Sequence, residues 1–116
     1  MKYKYHLRPG YQSQKLLIEI FSGAENEDFF PDFFDSIIEI NPKVVKINEL
    51  WMNDEYLLDV NSDIGSFSIS KDIWDLAFIM SEDNQECLNK INLILLKDQN
   101  FQKVEVNFDD YKLKTI

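Results

Sequence analysis

Residues 27–40, with the sequence EDFFPDFFDSIIEI, constrain the fold more than any other stretch of this chain. The apolar side chains fall in two adjacent rows at helical spacing: Phe29, Phe33 and Ile37, then Phe30, Phe34 and Ile38. Such a pattern is typical of an amphipathic helix, which must bury its apolar face against another element. We therefore predict a helix over about residues 28–40 that buries the first row, together with Phe34, against a sheet.

The flanks of this segment carry helix start and stop signals. Asp28 is a candidate N-cap, which places Pro31 in the first turn, where its missing N–H costs least. Asn41 and Pro42 are expected to end the helix, because the residue before a proline disfavours helical geometry.

Alternating apolar and polar residues predict strands elsewhere in the chain. The predicted strands cover residues 3–7, 16–21, 44–51, 56–60, 67–69 and 104–108, and the last of these has the most regular alternation. Residues 61–65, NSDIG, suit a hairpin loop between two of them. The nearly apolar residues 74–80 fit either a central strand or a buried helical turn.

A second helix is predicted within residues 82–98. Its apolar face comprises Cys87, Leu88, Ile91, Ile94 and Leu95. Asp83 and Glu86 resemble a capping box, and Lys97 suits the carboxyl end of the helix dipole. Two helices among strands joined by short loops predict an α+β fold with a largely antiparallel sheet.

Length and composition fit one domain that spans residues 1–116. The chain is 45% hydrophobic, with only three Gly and three Pro, which argues against a linker or a disordered segment. We find no secretory signal and no stretch long enough to cross a membrane, and the single cysteine, Cys87, is expected to be a buried thiol. A cytoplasmic location is therefore the expectation.

Negative charge is concentrated in the middle of the chain. Residues 23–86 carry three lysines against sixteen acids, a net charge of −13, whereas the whole chain has −9. Four of these acids form a stripe opposite the phenylalanines of the first helix: Asp28, Asp32, Asp35 and Glu39. Others surround the predicted hairpin: Asp54, Glu55, Asp59 and Asp63.

This charge needs a reason, because like charges four apart destabilise a helix by roughly 0.2–0.5 kcal/mol per pair. The sequence shows no structural use for the stripe. One interpretation is an acidic surface that serves only solubility. The other is that these acids dock onto a basic partner, through both groups or through one of them while the other is only solvated, because the two groups need not share a face. Trp51 and Trp74 are candidate anchors by residue type, although tryptophans are more often core residues.

The residues needed for catalysis or metal binding are not found in a usable pattern. His6 is the only histidine, and it lies among cations on the polar side of a strand, which predicts a solvated role. Asp59, Asn61 and Asp63 match ligand positions of a calcium loop, but Ile64 and Ser70 replace its required Gly and Glu. We therefore predict no enzyme activity, no metal and no cofactor.

Two further classes are disfavoured. Carboxylate pairs of the glycosidase type are available by residue type, but the chain has little loop length for a substrate cleft. Basic and aromatic residues interleave over residues 2–8, as in single-strand binders, yet strand alternation separates them onto opposite faces and the net charge repels phosphate. Neither nucleic acid nor a membrane is an expected partner.

In size, acidity and its strand-rich middle, ELWMNDEYLLDVNSDIGSFSIS, followed by a helix and a strand, the chain resembles immunity proteins of bacterial contact-dependent growth inhibition systems. The resemblance implies a protein that binds a cognate toxin domain and blocks its active site. Such toxins are often nucleases with basic clefts, which an acidic surface would cover. The alternative is a non-toxin interaction module or subunit that binds a basic protein.

Overall fold

A computed structural model of the chain describes residues 2–10, 13–50 and 55–111. Its strands are β1 (Tyr3–Pro9), β2 (Leu16–Ser22), β3 (Lys43–Leu50), β4 (Glu55–Ser62), β5 (Gly65–Lys71), β6 (Ala77–Met80) and β7 (Phe101–Lys103). Its helices are α1 (Phe29–Ser36) and α2 (Gln85–Lys97), with short 3-10 helices at Ile38–Ile40 and Phe108–Tyr111. The predicted α+β class is confirmed.

The strands form one sheet in the order β3-β4-β5-β6-β2-β1-β7. Every neighbouring pair is antiparallel except β1 and β7, which run parallel. The apolar segment at residues 74–80 thus contains a central strand, β6, and its first residues form the turn that enters it.

Both helices cover the same face of this sheet. The buried side chains of that face are Tyr3, Tyr5, Ile18, Ile20, Leu58, Val60, Phe67, Ile69, Ala77, Ile79 and Phe101. They are brought into line by the strand register, which sets Ile20 opposite both Tyr5 and Ala77. The core is therefore one-sided, which explains why the strands alternate in the sequence.

Helix α1 lies over the β1–β7 end of the sheet. Phe29 packs edge-on against Tyr3, with ring centroids 5.5 Å apart, and Phe33 against Phe101 at 6.4 Å. Phe29, Phe33 and Ile37 are buried as predicted, whereas Phe34 is only partly buried and packs at the edge of the core.

The ends of α1 follow the sequence signals with one difference. Asp28 occupies the N-cap, but its side chain makes no capping hydrogen bond. The predicted single helix is also shorter than expected, because α1 ends at Ser36 and a 3-10 helix forms at Ile38–Ile40. Asn41 then follows in a left-handed conformation with a φ of 50°. Asparagine tolerates this conformation better than most residues, so it ends the segment.

Helix α2 buries the predicted apolar face. Its N-cap, however, is Asn84, and the predicted capping box at Asp83 is wrong. The Asn84 side chain accepts from the Cys87 N–H at 3.2 Å and donates to the Ile64 carbonyl at 2.9 Å. Aspartate has no donor for the second bond. Gly65, at φ 118°, leaves the space for this amide that a Cβ would fill.

The strand predicted at residues 104–108 is wrong. Strand β7 pairs with β1 over only three residues, after which the Val104 N–H still bonds the Tyr5 carbonyl at 2.8 Å. The chain then leaves the sheet edge and forms the 3-10 helix that contacts β1. The alternation of apolar and polar residues here therefore reflects the partial burial of Val104 and Val106, and not pairing with a neighbouring strand.

His6 is not simply solvated, contrary to expectation. Its Nδ1 donates to the Val104 carbonyl at 2.9 Å, and its ring stacks on Phe21 with centroids 4.1 Å apart. The histidine therefore fastens the chain beyond β7 to the sheet face opposite the helices.

Candidate partner-binding surface

The sheet face opposite the helices is here called the open face. One half of it is covered, and the other half, called the bare half, is not covered by any part of residues 2–10, 13–50 and 55–111. At the covered half the ring of Tyr111 lies 4.6 Å from the Arg8 guanidinium carbon. Arg8 is buried, and its Nε donates to Glu19 Oε1 at 2.7 Å. This charged pair is already satisfied within the fold, so it leaves the bare half, on β4, β5 and β6, as the available surface.

Two rows of residues cross the bare half in register. Leu57, Ser70 and Phe78 face one another across β4, β5 and β6, and Asp59, Ser68 and Met80 form the neighbouring row. Leu57 and Met80 are half-buried although no helix covers them. The Phe78 ring lies 5.8 Å from the Arg8 guanidinium carbon, at the border with the covered half. Apolar side chains with hydroxyls and a carboxylate thus share one uncovered strip of sheet.

A cleft opens at the hairpin end of this strip, with a volume of about 680 Å³. Its lining residues are Leu57, Asp59, Val60, Asn61, Ser66, Phe67, Ser68, Met80, Ser81, Glu82, Asp83 and Asn84. The floor comes from β4, β5 and the end of β6, and the rim from the turn that leads into α2. Volumes of this size suit a small ligand or several side chains of a protein partner.

The rim is fixed by hydrogen bonds to two strands and to the hairpin turn between β4 and β5. Ser81 Oγ donates to the Ser66 carbonyl at 2.7 Å, and Asn84 holds the hairpin turn as described above. The Gln85 side chain pairs with the backbone of Leu16, accepting from its N–H at 2.7 Å and donating to its carbonyl at 3.2 Å. The rim acids are therefore carried on a firmly held segment.

Asp59, Glu82 and Asp83 give the cleft its charge. None of its lining residues in the described part of the chain is basic. Asp59 Oδ1 accepts from Ser68 Oγ at 3.2 Å. Lys46 of β3 lies opposite Asp59 in the sheet, but the two side chains do not form an ion pair. Glu82 and Asp83 are exposed beside the amino end of α2, whose dipole favours negative charge there. The cleft can accept several hydrogen bonds from cations.

The acidic stripe of α1 lies on the other side of the sheet and is largely engaged. Asp32 Oδ2 accepts from Tyr3 Oη at 2.6 Å and from Lys2 Nζ at 3.0 Å. Asp28 Oδ2 lies 4.0 Å from the same Lys2 Nζ, and Glu39 Oε2 lies 3.9 Å from Lys90 Nζ. The expectation that the stripe has no structural use is wrong for Asp32, which ties α1 to β1.

These contacts alter the ionisation of the groups involved. The hydrogen bonds from Tyr3 and Lys2 lower the pKa of the Asp32 carboxyl from its usual 3.8. The same contact raises the pKa of Lys2, while burial and then Asp32 raise the pKa of Tyr3. Within α1, Asp35 is the stripe residue that is exposed without an ion pair in the described structure.

The remaining predicted site residues are scattered. Glu55 begins β4, and Asp63 lies in the hairpin turn, where its carboxylate accepts from Asn41 Nδ2 at 2.6 Å. Trp74 is 72% exposed in the turn between β5 and β6. Trp51 and Asp54 lie outside the described residues. Of the predicted acids within the described residues, only Asp59 therefore lines the cleft.

Sequence reasoning missed Glu82 and Asp83 as surface candidates. Their position just before a helix gave them an ordinary capping explanation, and nothing local connects them to Asp59. Only the pairing of β5 with β6 brings the two regions together. A run of exposed acids beside a strand end was the one available signal.

Cys87 and His6 are not among the residues that line the cleft. Burial raises the pKa of the Cys87 thiol, and the Nδ1 of His6 is engaged with a backbone carbonyl. Among residues 2–10, 13–50 and 55–111 no group of three or more His, Cys, Asp or Glu side chains is arranged to hold a metal. Nor does that part of the chain contain a helix with the length and apolarity of a membrane span.

Comparison with protein-family models, with curated proteins and with solved structures finds no match to this chain. Its function has to be argued from the surface itself.

Proposed function

We propose that this chain is an immunity protein that binds and neutralises a cognate toxin domain, a nuclease with a basic substrate cleft. The observation that carries the proposal is the bare half of the open face, where Asp59, Glu82 and Asp83 surround a cleft lined without a basic residue in the described chain. A cytoplasmic location is part of the proposal, because a nuclease toxin acts on nucleic acid there.

The chemistry of inhibition follows from the ligands that such a nuclease binds. A nuclease cleft binds phosphates through Lys and Arg side chains, which form charge-assisted hydrogen bonds to anionic oxygen. Carboxylates on a fixed rim offer the same oxygen acceptors. Docking therefore places the inhibitor's acids on the cations that would otherwise hold substrate.

The high association rate that an immunity protein needs also favours an acidic surface. Complementary charge raises association rates from about 10⁵–10⁶ to as much as about 10⁸–10⁹ M⁻¹s⁻¹ at low salt. An immunity protein must bind its toxin before substrate is cleaved, so a net charge of −9 serves that requirement.

The experiment takes the protein encoded next to the gene for this chain as the candidate toxin. We expect co-expression with this chain to restore growth of a bacterial host and the purified chain to abolish nuclease activity at equimolar concentration. Unchanged toxicity and activity with folded protein present would refute the proposal. Binding to that neighbour without any toxicity to relieve would favour the alternative, an interaction module for a basic protein.

A matched pair of double variants tests the surface itself. Glu82→Lys with Asp83→Lys reverses the cleft rim, and Glu25→Lys with Glu27→Lys makes the same change of charge at exposed positions away from the cleft. We expect the rim variant to lose inhibition while the second variant retains it. Equal losses in both would assign the effect to net charge and would contradict the cleft as the binding surface.

A further inference from the structure

The turn between β5 and β6 displays two large apolar side chains next to each other. Ile73 is 50% exposed and Trp74 is 72% exposed, the highest value among the large hydrophobic residues in the described chain. Single exposed apolar residues are ordinary on protein surfaces. An adjacent pair that includes a tryptophan is different, because tryptophan is the residue type most enriched at binding hot spots.

The backbone holds this turn in one conformation. Asp72 Oδ1 accepts from the N–H groups of Trp74 at 3.0 Å and Leu76 at 3.1 Å. The Asp72 N–H bonds the Leu76 carbonyl at 3.0 Å, and Asp75 adopts a φ of 59°, which is unfavourable for a residue with a Cβ. The backbone that carries Ile73 and Trp74 is thus already ordered before a partner binds, which lowers the entropy cost of binding.

Charge indicates what the tip binds. Asp75 is exposed beside Trp74, and the chain as a whole is strongly acidic. We propose that Trp74 and Ile73 are the apolar anchor of the interface, and that they enter an apolar pocket rimmed by Lys or Arg on the basic toxin. This inference rests on the proposed function and adds the partner's surface chemistry to it.

The anchor and the acidic cleft are within reach of one partner. Ser66 and Ser68 in the cleft belong to β5, and the turn follows the same strand after Lys71. Five residues of extended chain span roughly 17 Å. Interfaces of ordinary size bury about 800 Å² on each partner, which is wide enough to include both features.

Other occupants fit this tip less well. The cleft of a second copy of the chain is rimmed by acids, so it does not offer Asp75 a basic rim. A lipid surface with anionic headgroups would repel Asp75 and the net charge of −9. Charge complementarity therefore selects a basic protein.

The test uses calorimetry to measure the affinity of this chain for an inactivated form of the same candidate toxin. We expect Trp74→Ala to weaken binding by roughly 30-fold or more, the loss typical of a hot spot, and Ile73→Ala by roughly tenfold. Leu93→Ala and Leu96→Ala are the matched controls, because these α2 residues are exposed to 53% and 50%. The controls should bind like the wild type.

A second pair of variants tests the rigidity of the turn. Asp72→Asn keeps an oxygen that can accept both backbone N–H groups, whereas Asp72→Ala removes it. We expect Asp72→Ala to weaken binding although Trp74 is intact, and Asp72→Asn to retain most of the affinity. Equal losses in both would contradict a positioning role and would indicate that the charge itself matters.

The outcomes separate this inference from the proposed function. Wild-type binding that survives Trp74→Ala would overturn the anchor alone, whereas the absence of any wild-type binding would overturn both. In a Trp51→Phe background, the Trp74 fluorescence should shift to shorter wavelength when toxin is added, as its ring leaves water. Concentration-dependent sedimentation of the free chain that is lost in Trp74→Ala would instead assign the tip to self-association and refute the inference.

Discussion

The acids of α1 and the acids of the cleft are the same residue types on opposite sides of one sheet, but they make different contacts. Asp32 is bonded to Tyr3 and Lys2, so its charge holds a helix to a strand. Glu82 and Asp83 form no side-chain hydrogen bond or ion pair in the described structure, so their charge is available. The candidate docking surface is therefore marked by exposed carboxylates that line one cleft, and not by the density of acids in the sequence.

The helix-covered face of the sheet and the open face should differ most in how much their side-chain packing contributes to the free energy of unfolding. Phe33→Ala removes a fully buried ring from the helix side and should cost about 3–5 kcal/mol of unfolding free energy. Leu57→Ala on the open face should cost only about 1 kcal/mol, because its side chain is half-buried. Urea denaturation of both variants measures the difference. Equal losses would show that the core is not one-sided.

Ionic strength should sharpen the contrast between the two groups of acids. We expect association of the wild type with the toxin domain to slow about tenfold between low salt and about 0.5 M salt, because added salt screens steering charges. The Glu82→Lys and Asp83→Lys double variant should show a much weaker salt dependence. The Glu25→Lys and Glu27→Lys variant, which changes exposed acids just before α1, should show a dependence close to that of the wild type. Stopped-flow mixing measures these rates. Salt-independent association of the wild type would exclude electrostatic steering.

The smallest expected effect concerns acid stability. The pKa of Asp32 is lowered in the folded protein, so its stabilising contribution is present above the usual value of 3.8 and is lost as pH falls through the lower folded value. Asp32→Asn should therefore destabilise the protein at pH 7 by less than Phe33→Ala does, and the difference from wild type should shrink below pH 3.8. Thermal melts across this range measure it.

Asp59→Asn is the control for that experiment, since an amide oxygen can still accept from Ser68. We expect little change in its melting temperature at pH 7. A loss at Asp59 as large as that at Asp32 would mean that the cleft acids are also structural, and would weaken the distinction between the two faces.

The residues that define the helices illustrate what local pattern can predict. Phe29, Phe33 and Ile37 recur at helical spacing, and so do Leu88 and Ile91, and all of them are buried. Burial of one face is imposed by the element's own period, so the sequence carries that information directly. The ends of the helices are harder to predict from local pattern. The N-cap of α2 is Asn84 and not Asp83, because the Asn84 side chain also bonds the carbonyl of Ile64, twenty residues away.

The segment after β7 shows the limit of the same reasoning. Val104 and Val106 are partly buried in alternation, as in a strand, yet the segment crosses the outer face of β1. Strand pairing depends on which edge is free and where a neighbouring strand ends, and the local pattern does not contain either fact.

The sequence by itself determined the α+β class, the two amphipathic helices, most of the strands and the concentration of acids in the middle of the chain. The tertiary structure alone decided which of those acids are engaged, because ion pairs such as Lys2 with Asp32 join residues thirty apart. It also decided that Glu82 and Asp83 share a cleft with Asp59, since strand order in the sheet sets these distances. Periodicity acts within one element, whereas a binding surface is assembled from several.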